Sequence, residues 1–186
     1  LGFLKFGFDI QSIKNIDDFN LAGTLTLSFQ IMSVITIAGA VITRNASPEL
    51  YKLYSSSKRK EVLIAIFKYS LPILIISFIA VAFFSLAKGS FIKFQHLEIF
   101  VIPMIISAVI YVISQLLMTL FFFQEKSYIV SLLNATGAII HPFITTYFVS
   151  NQEYIYIGFS YLFSSILQAL FVAMIFILNF KNIIYE

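Results

Sequence analysis

The side chains best suited to hold a ligand are polar groups set inside long apolar stretches. Lys68, Arg44 and His141 can carry positive charge, while Gln30, Gln115, Asn134 and Gln168 offer neutral hydrogen bonds. In hydrocarbon such groups are costly, so a helix presents them to protein or to water. They fall at helical spacing into stripes: Gly23, Thr26, Gln30 and Ser33; Ser107, Tyr111, Ser114 and Gln115; Asn134, Ala138, His141 and Thr145; and Tyr161, Ser164, Ser165 and Gln168. Two readings stand open. The stripes hydrogen-bond across helix contacts and hold a bundle together, each bond worth about 0.6–2 kcal/mol, or several of them line a wetted central cavity.

Lys68 lies about two turns inside the end of its apolar stretch. It either snorkels to the surface or faces a cavity, where a phosphate-bearing ligand needs a cation. His141 is the histidine deep in a stretch and reads as a packing residue or as a group that titrates or pairs with an anion. Pro72 and Pro142 each remove a backbone hydrogen bond from a helix and are hinge candidates. This is chemistry of binding and movement. The Ser and His residues show no nucleophile arrangement, and there is no Walker motif, zinc-ligand cluster or Gly-rich phosphate loop. No enzymatic activity, cofactor or metal is expected. With no Cys, disulfides and thiolate chemistry do not arise.

The elements that must position these groups follow from composition. The chain is 60% hydrophobic and 11% charged, against about one-quarter charged for an ordinary soluble domain. Five apolar segments, Leu21 to Thr43, Val62 to Ala87, Leu97 to Phe123, Ser127 to Ser150 and Tyr154 to Phe180, are each long enough to span a bilayer as a helix. They are apolar on both parities and too long for barrel strands. The expected fold is an all-α integral membrane protein, an antiparallel bundle of about five transmembrane helices in one membrane domain over residues 1–186. The connections Gln124 to Lys126 and Asn151 to Glu153 are short enough to force antiparallel neighbours. Leu1 to Phe8 has no basic leader region and reads as the end of a longer apolar segment, so an N-terminally truncated chain is expected.

Threading the spans alternately puts Arg44, Lys52, Lys58, Arg59, Lys60, Lys126 and Lys181 on one side, with Lys68 nearby, and Lys5, Lys14, Lys88 and Lys93 on the other. The positive-inside rule makes the first side cytoplasmic, with the N-terminal end outside and the C-terminus inside. Tyr51, Tyr54, Tyr128, Tyr154, Tyr156 and Tyr185 stand at predicted span ends, in place of Trp. Ser47-Pro48-Glu49 predicts a helix start, opening an amphipathic cytoplasmic segment over about 47–60. Leu50, Leu53 and Tyr54 share its apolar face, and its basic residues face water and anionic headgroups. An excess of 12 Lys and Arg over 9 Asp and Glu is too small for a nucleic-acid partner on so apolar a chain. No Asp or Glu lies in the interior of the five spans, which weakens any model with a coupling carboxylate in this segment.

The order of these features resembles the C-terminal half of polysaccharide and O-antigen flippases, in the superfamily that also holds multidrug and toxin extruders and lipid II flippases. The resemblance lies in Phe8-Asp9-Ile10 followed by Leu21-Ala22-Gly23, in the run from Asn45 to Tyr54, in Leu71-Pro72, in Lys88-Gly89-Ser90-Phe91 and in Leu133-Asn134. It spans nearly the whole chain. It implies that Leu1 to Phe8 ends the seventh helix of a twelve-helix, MATE-like transporter of two lobes, whose N-terminal lobe is the missing partner. It further implies alternating access in the cytoplasmic membrane around a partly cationic cavity that takes a lipid-linked (polyprenyl diphosphate) glycan. Lys68, with Arg44 and His141, would then meet the anionic head, and Gln30, Gln115, Asn134 and Gln168 the sugar hydroxyls. Two alternatives remain: a multidrug cation antiporter of the same superfamily, and a non-transporting membrane scaffold.

Overall fold

A computed structural model describes residues 2–13, 19–56, 58–86 and 97–184, with the side chains of 2–4, 19, 59 and 179–184 left aside. Ala87, the Lys88 to Phe91 motif, Lys14, Lys93, Tyr185 and the side chains of Arg59 and Lys181 thus lie outside the described residues. The described elements are helical: α1 (Gly2–Ile13), α2 (Phe19–Ser55), α3 (Arg59–Leu86), α4 (Leu97–Phe123), α5 (Ser127–Ser150), a 3₁₀ turn (Tyr154–Tyr156) and α6 (Ile157–Ile184). Helices α2 to α6 are long and apolar enough to cross a membrane, which fits a multi-pass membrane protein.

Helix α4 is the axis of the bundle. In its most apolar stretch 61% of residues are buried, against 28–33% in the other four long helices, and it packs on α2, α3, α5 and α6. Phe100, Met104, Ile105, Leu116, Leu120 and Phe121 are among its fully enclosed side chains. The outer helices turn apolar residues outward instead: Phe67, Phe78 and Ile79 on α3 and Leu170, Met174 and Ile177 on α6, as a lipid-facing surface requires. Close approach to α4 depends on glycine. A Cβ on Gly39 of α2 would lie 2.1 Å from Val112 Cγ2, and one on Gly158 of α6 would lie 2.9 Å from the Phe100 backbone.

The helix start expected at Ser47 is absent. Helix α2 runs unbroken for 37 residues with Pro48 inside it, and Ser47 Oγ donates to the Thr43 carbonyl one turn back at 2.8 Å. The apolar face expected to rest on headgroups is real but has a protein partner. Ala46 and Leu50 are fully buried against Val62, Ala65 and Ile66 of α3 and Leu116 and Leu120 of α4, with Leu53 and Tyr54 packed on the same cluster. Lys52, Lys58 and Lys60 are exposed. At about 1.5 Å per residue α2 is about 55 Å long, well beyond the roughly 30 Å of bilayer hydrocarbon, and its last turns still serve the bundle.

Two turns join the last three helices in the same way. Lys126 N–H donates to Phe121 O and Glu125 N–H to Phe122 O; Glu153 N–H donates to Phe148 O and Gln152 N–H to Val149 O. Both are Schellman endings, with Glu125 and Gln152 each at φ 60°. Pro72 and Pro142 lie inside α3 and α5, which continue through them.

Candidate functional site: a polar groove backed by a buried acid–base pair

Helices α2 and α4 run in the same direction, and along their seam lie two adjoining cavities that share Thr36, Ala40 and Tyr111. The first, about 390 Å³, is bounded by Lys5 of α1, Phe29, Met32 and Ser33 of α2, Ser107 and Tyr111 of α4, Asn134 of α5, and Tyr161, Ser165 and Gln168 of α6. The second, about 400 Å³, continues past Gly39, Thr43, Arg44 and Ser47 of α2 and Gln115, Thr119 and Phe123 of α4. From Phe29 to Ser47 the groove follows α2 for about 27 Å, comparable with the hydrocarbon thickness.

Helical spacing makes this lining. Ser33, Thr36, Ala40, Thr43 and Ser47 recur every three or four residues on one face of α2. The hydroxyls of Thr36, Thr43 and Ser47 bond to the carbonyls of Ser33, Gly39 and Thr43, so these short side chains satisfy themselves on their own helix and leave the groove open. Deeper in, Asn134 Oδ1 accepts from Gln115 Nε2 at 2.9 Å and from Gln168 Nε2 at 3.1 Å. That three-residue bridge joins α4, α5 and α6 at the groove floor. Ser107 Oγ, 2.8 Å from Ser165 Oγ, also donates to the Tyr161 carbonyl.

Of the residues singled out by sequence, Arg44, Gln115, Asn134 and Gln168 are brought to the groove. Gln30 is exposed and lines neither cavity. Lys68 also lies off the groove: its side chain, 63% exposed, reaches Glu49 at 3.4 Å, and the Tyr69 hydroxyl donates to the same carboxylate. That cluster ties the end of α2 to α3. The cation that does reach the first cavity is Lys5, whose Nζ donates to Ser164 Oγ at 3.0 Å. Alternate threading of the spans groups Lys5 with the cations of the outer side, at the end of an apolar segment, and not with the candidate site residues.

His141 is fully buried and engaged. Its Nε2 lies 2.9 and 3.1 Å from the two oxygens of Asp9, and Thr145 Oγ1 donates to Asp9 Oδ1 at 2.9 Å. Ser160 Oγ is 3.0 Å from Thr145 Oγ1. Asp9, His141, Thr145 and Ser160 are all fully enclosed, and the Tyr161 ring meets the His141 ring edge-on, centroids 4.4 Å apart. The bundle therefore does enclose a carboxylate, contributed by α1 and not by the five long spans. The other ring nitrogen, Nδ1, is buried with no hydrogen-bond partner among the described residues.

Among the described residues no three His, Cys, Asp or Glu side chains converge as a metal site. No family model, curated protein or solved structure matches the chain.

Proposed function

We propose that the chain forms one lobe of a MATE-like, two-lobe alternating-access transporter that flips lipid-linked oligosaccharide or polysaccharide precursors across the cytoplasmic membrane. The observation that carries this reading is the groove itself: membrane-length, lined by hydroxyls and amides, with Lys5 toward one end and Arg44 toward the other. Neutral hydrogen-bonding groups between two cations suit a glycan with an anionic head, and the apolar outer helices leave a polyprenyl tail in lipid. Among the described residues no Asp or Glu lines either cavity, which disfavours a cationic drug there. A scaffold that used polar stripes only as glue would have no need of a membrane-length groove.

The test is flipping of a fluorescent lipid-linked oligosaccharide by the complete gene product in proteoliposomes. Arg44→Ala and Lys5→Ala are each expected to lower the initial rate about tenfold, the loss of about 1.4 kcal/mol of interaction with the moving anion. Unchanged rates in the double variant at equal reconstitution would refute the assignment of these cations to the path.

A further inference from the structure

We infer that Asn134 is a hydrogen-bond-donor subsite of the groove that selects glycans carrying an N-acetyl group, whose carbonyl accepts, over glycans with a hydroxyl in that place. The inference rests on the reading of the groove as a glycan path and names a sugar class for it.

Two neighbours decide which end of the Asn134 amide faces the groove. Gln115 Nε2 and Gln168 Nε2 both donate to Oδ1, at 2.9 and 3.1 Å, which uses both lone pairs of that oxygen. Gly137, one turn along α5, holds Gln168 in this orientation. A Cβ there would lie 2.5 Å from Gln168 Oε1, so a side chain would push the carboxamide away, whereas the glycine Cα–H meets an oxygen that accepts. Were the carboxamide turned over, its NH2 would face carbon with nothing to donate to. Nε2 therefore points at Asn134, and Asn134 answers with oxygen. Its Nδ2, with no hydrogen bond among the described residues, is left to the first cavity, which Asn134 lines.

The rest of that cavity complements it. The hydroxyl hydrogens of Thr36 and Ser107 go to the carbonyls of Ser33 and Tyr161, and Ser165 Oγ, 2.8 Å from Ser107 Oγ, gives its own hydrogen to that oxygen. These groups still accept but have nothing left to donate. Sugar hydroxyls, which donate, suit that wall. Asn134 offers the opposite, an uncharged NH2 group, and the partner that suits it best is an acceptor with no hydrogen of its own. A carboxylate would be drawn to Lys5 in the same cavity. An uncharged carbonyl is not, and on a sugar the acetamido group supplies one.

The experiment compares flipping of two polyprenyl diphosphate-linked sugars, N-acetylglucosamine and glucose, by the complete gene product in proteoliposomes. The probes differ only in the acetamido group that stands where glucose has a hydroxyl, and they carry the same diphosphate, so Lys5 and Arg44 treat them alike. At limiting concentration the N-acetylglucosamine probe is expected to move about fivefold faster, the worth of one neutral hydrogen bond. Asn134→Asp keeps an oxygen for both Nε2 groups but has no NH2; the charge it adds acts on both probes, and the ratio is expected to fall to about one. Gln168→Met leaves the Asn134 amide in place and removes one of the two bonds that orient it, and a ratio of about two is expected. Equal rates in the unaltered protein, a faster glucose probe, or a ratio unmoved by both substitutions overturns the subsite and leaves the transport reading standing. If neither probe moves, the transport reading falls and the subsite falls with it.

Discussion

Removing Asp9 strands two groups at once. His141 Nε2 and Thr145 Oγ1 both hydrogen-bond its carboxyl group in a site closed to solvent, and deleting one member of a buried pair leaves the other uncompensated, at about 3–5 kcal/mol. Asp9→Ala is therefore expected to lower the unfolding free energy in detergent by about that amount and to release α1 from α5, whereas Asp9→Asn retains an acceptor and loses less. A loss under about 1 kcal/mol for Asp9→Ala would show that the pair does not hold α1. Half of this site was legible in the sequence. His141 and Thr145 stand four apart on one face of α5, and the stripe through Asn134 marked that face as unsuited to lipid. Their partner was not legible, since Asp9 lies 132 residues from His141 on a helix of 12 residues, below the length at which hydropathy declares a span. Lys68 shows the converse: its cation was visible, but Glu49, the group that claims it, stood in a segment read as separate from the bundle.

At the scale of elements, Pro48 sets two local rules against tertiary packing. Ser-Pro-Glu is a good helix start, and a proline inside a helix costs about 3 kcal/mol. Full burial of Leu50, worth about 1.5–3 kcal/mol, offsets part of that cost, and Ala46, Leu53 and Tyr54 packed on the same cluster against α3 and α4 add to the offset. Ser47→Ala then removes only a bond to the Thr43 carbonyl and is expected to change stability by less than about 0.5 kcal/mol, where loss of a true N-cap costs about 1 kcal/mol. Chemical denaturation distinguishes the two. The turns carry a signal of opposite sign. Glu125 and Gln152 sit in the left-handed region, at a cost of about 1–2 kcal/mol for a residue with a Cβ, so Glu125→Gly and Gln152→Gly are each expected to stabilise by about 1 kcal/mol. Gly158→Ala should do the reverse. Its new methyl meets the Phe100 backbone, whereas that of Gly39→Ala meets only the Val112 side chain; overpacking of about 1–3 kcal/mol is expected, larger at Gly158. The five long helices could be read from hydropathy because each must satisfy its own backbone in lipid; which turns their ends take, and which helix lies at the centre, depends on contacts no local pattern encodes.

Across the whole molecule, charge and groove point the same way along the helix axes. The described cations Arg44, Lys52, Lys58, Lys60 and Lys126 belong to the end where α2 stops, α3 begins and α4 turns into α5, while the α5–α6 turn at the other end carries Glu153 and no Lys or Arg. An excess of Lys and Arg in short loops leads one to expect that end in the cytosol; on the proposed function Arg44 would then stand at the mouth where a lipid-linked substrate arrives and Lys5 nearer the far side. The orientation is testable because the chain has no Cys. Single cysteines at Glu125 and Gln152 report opposite ends, since α5 alone separates the two turns. In intact cells a membrane-impermeant maleimide is expected to label Gln152→Cys at once and Glu125→Cys only after permeabilisation. The opposite pattern would put Arg44 outside. The groove would survive that result, but its first cation on the cytosolic side would then be Lys5, so the direction in which an anion meets the two charges would reverse.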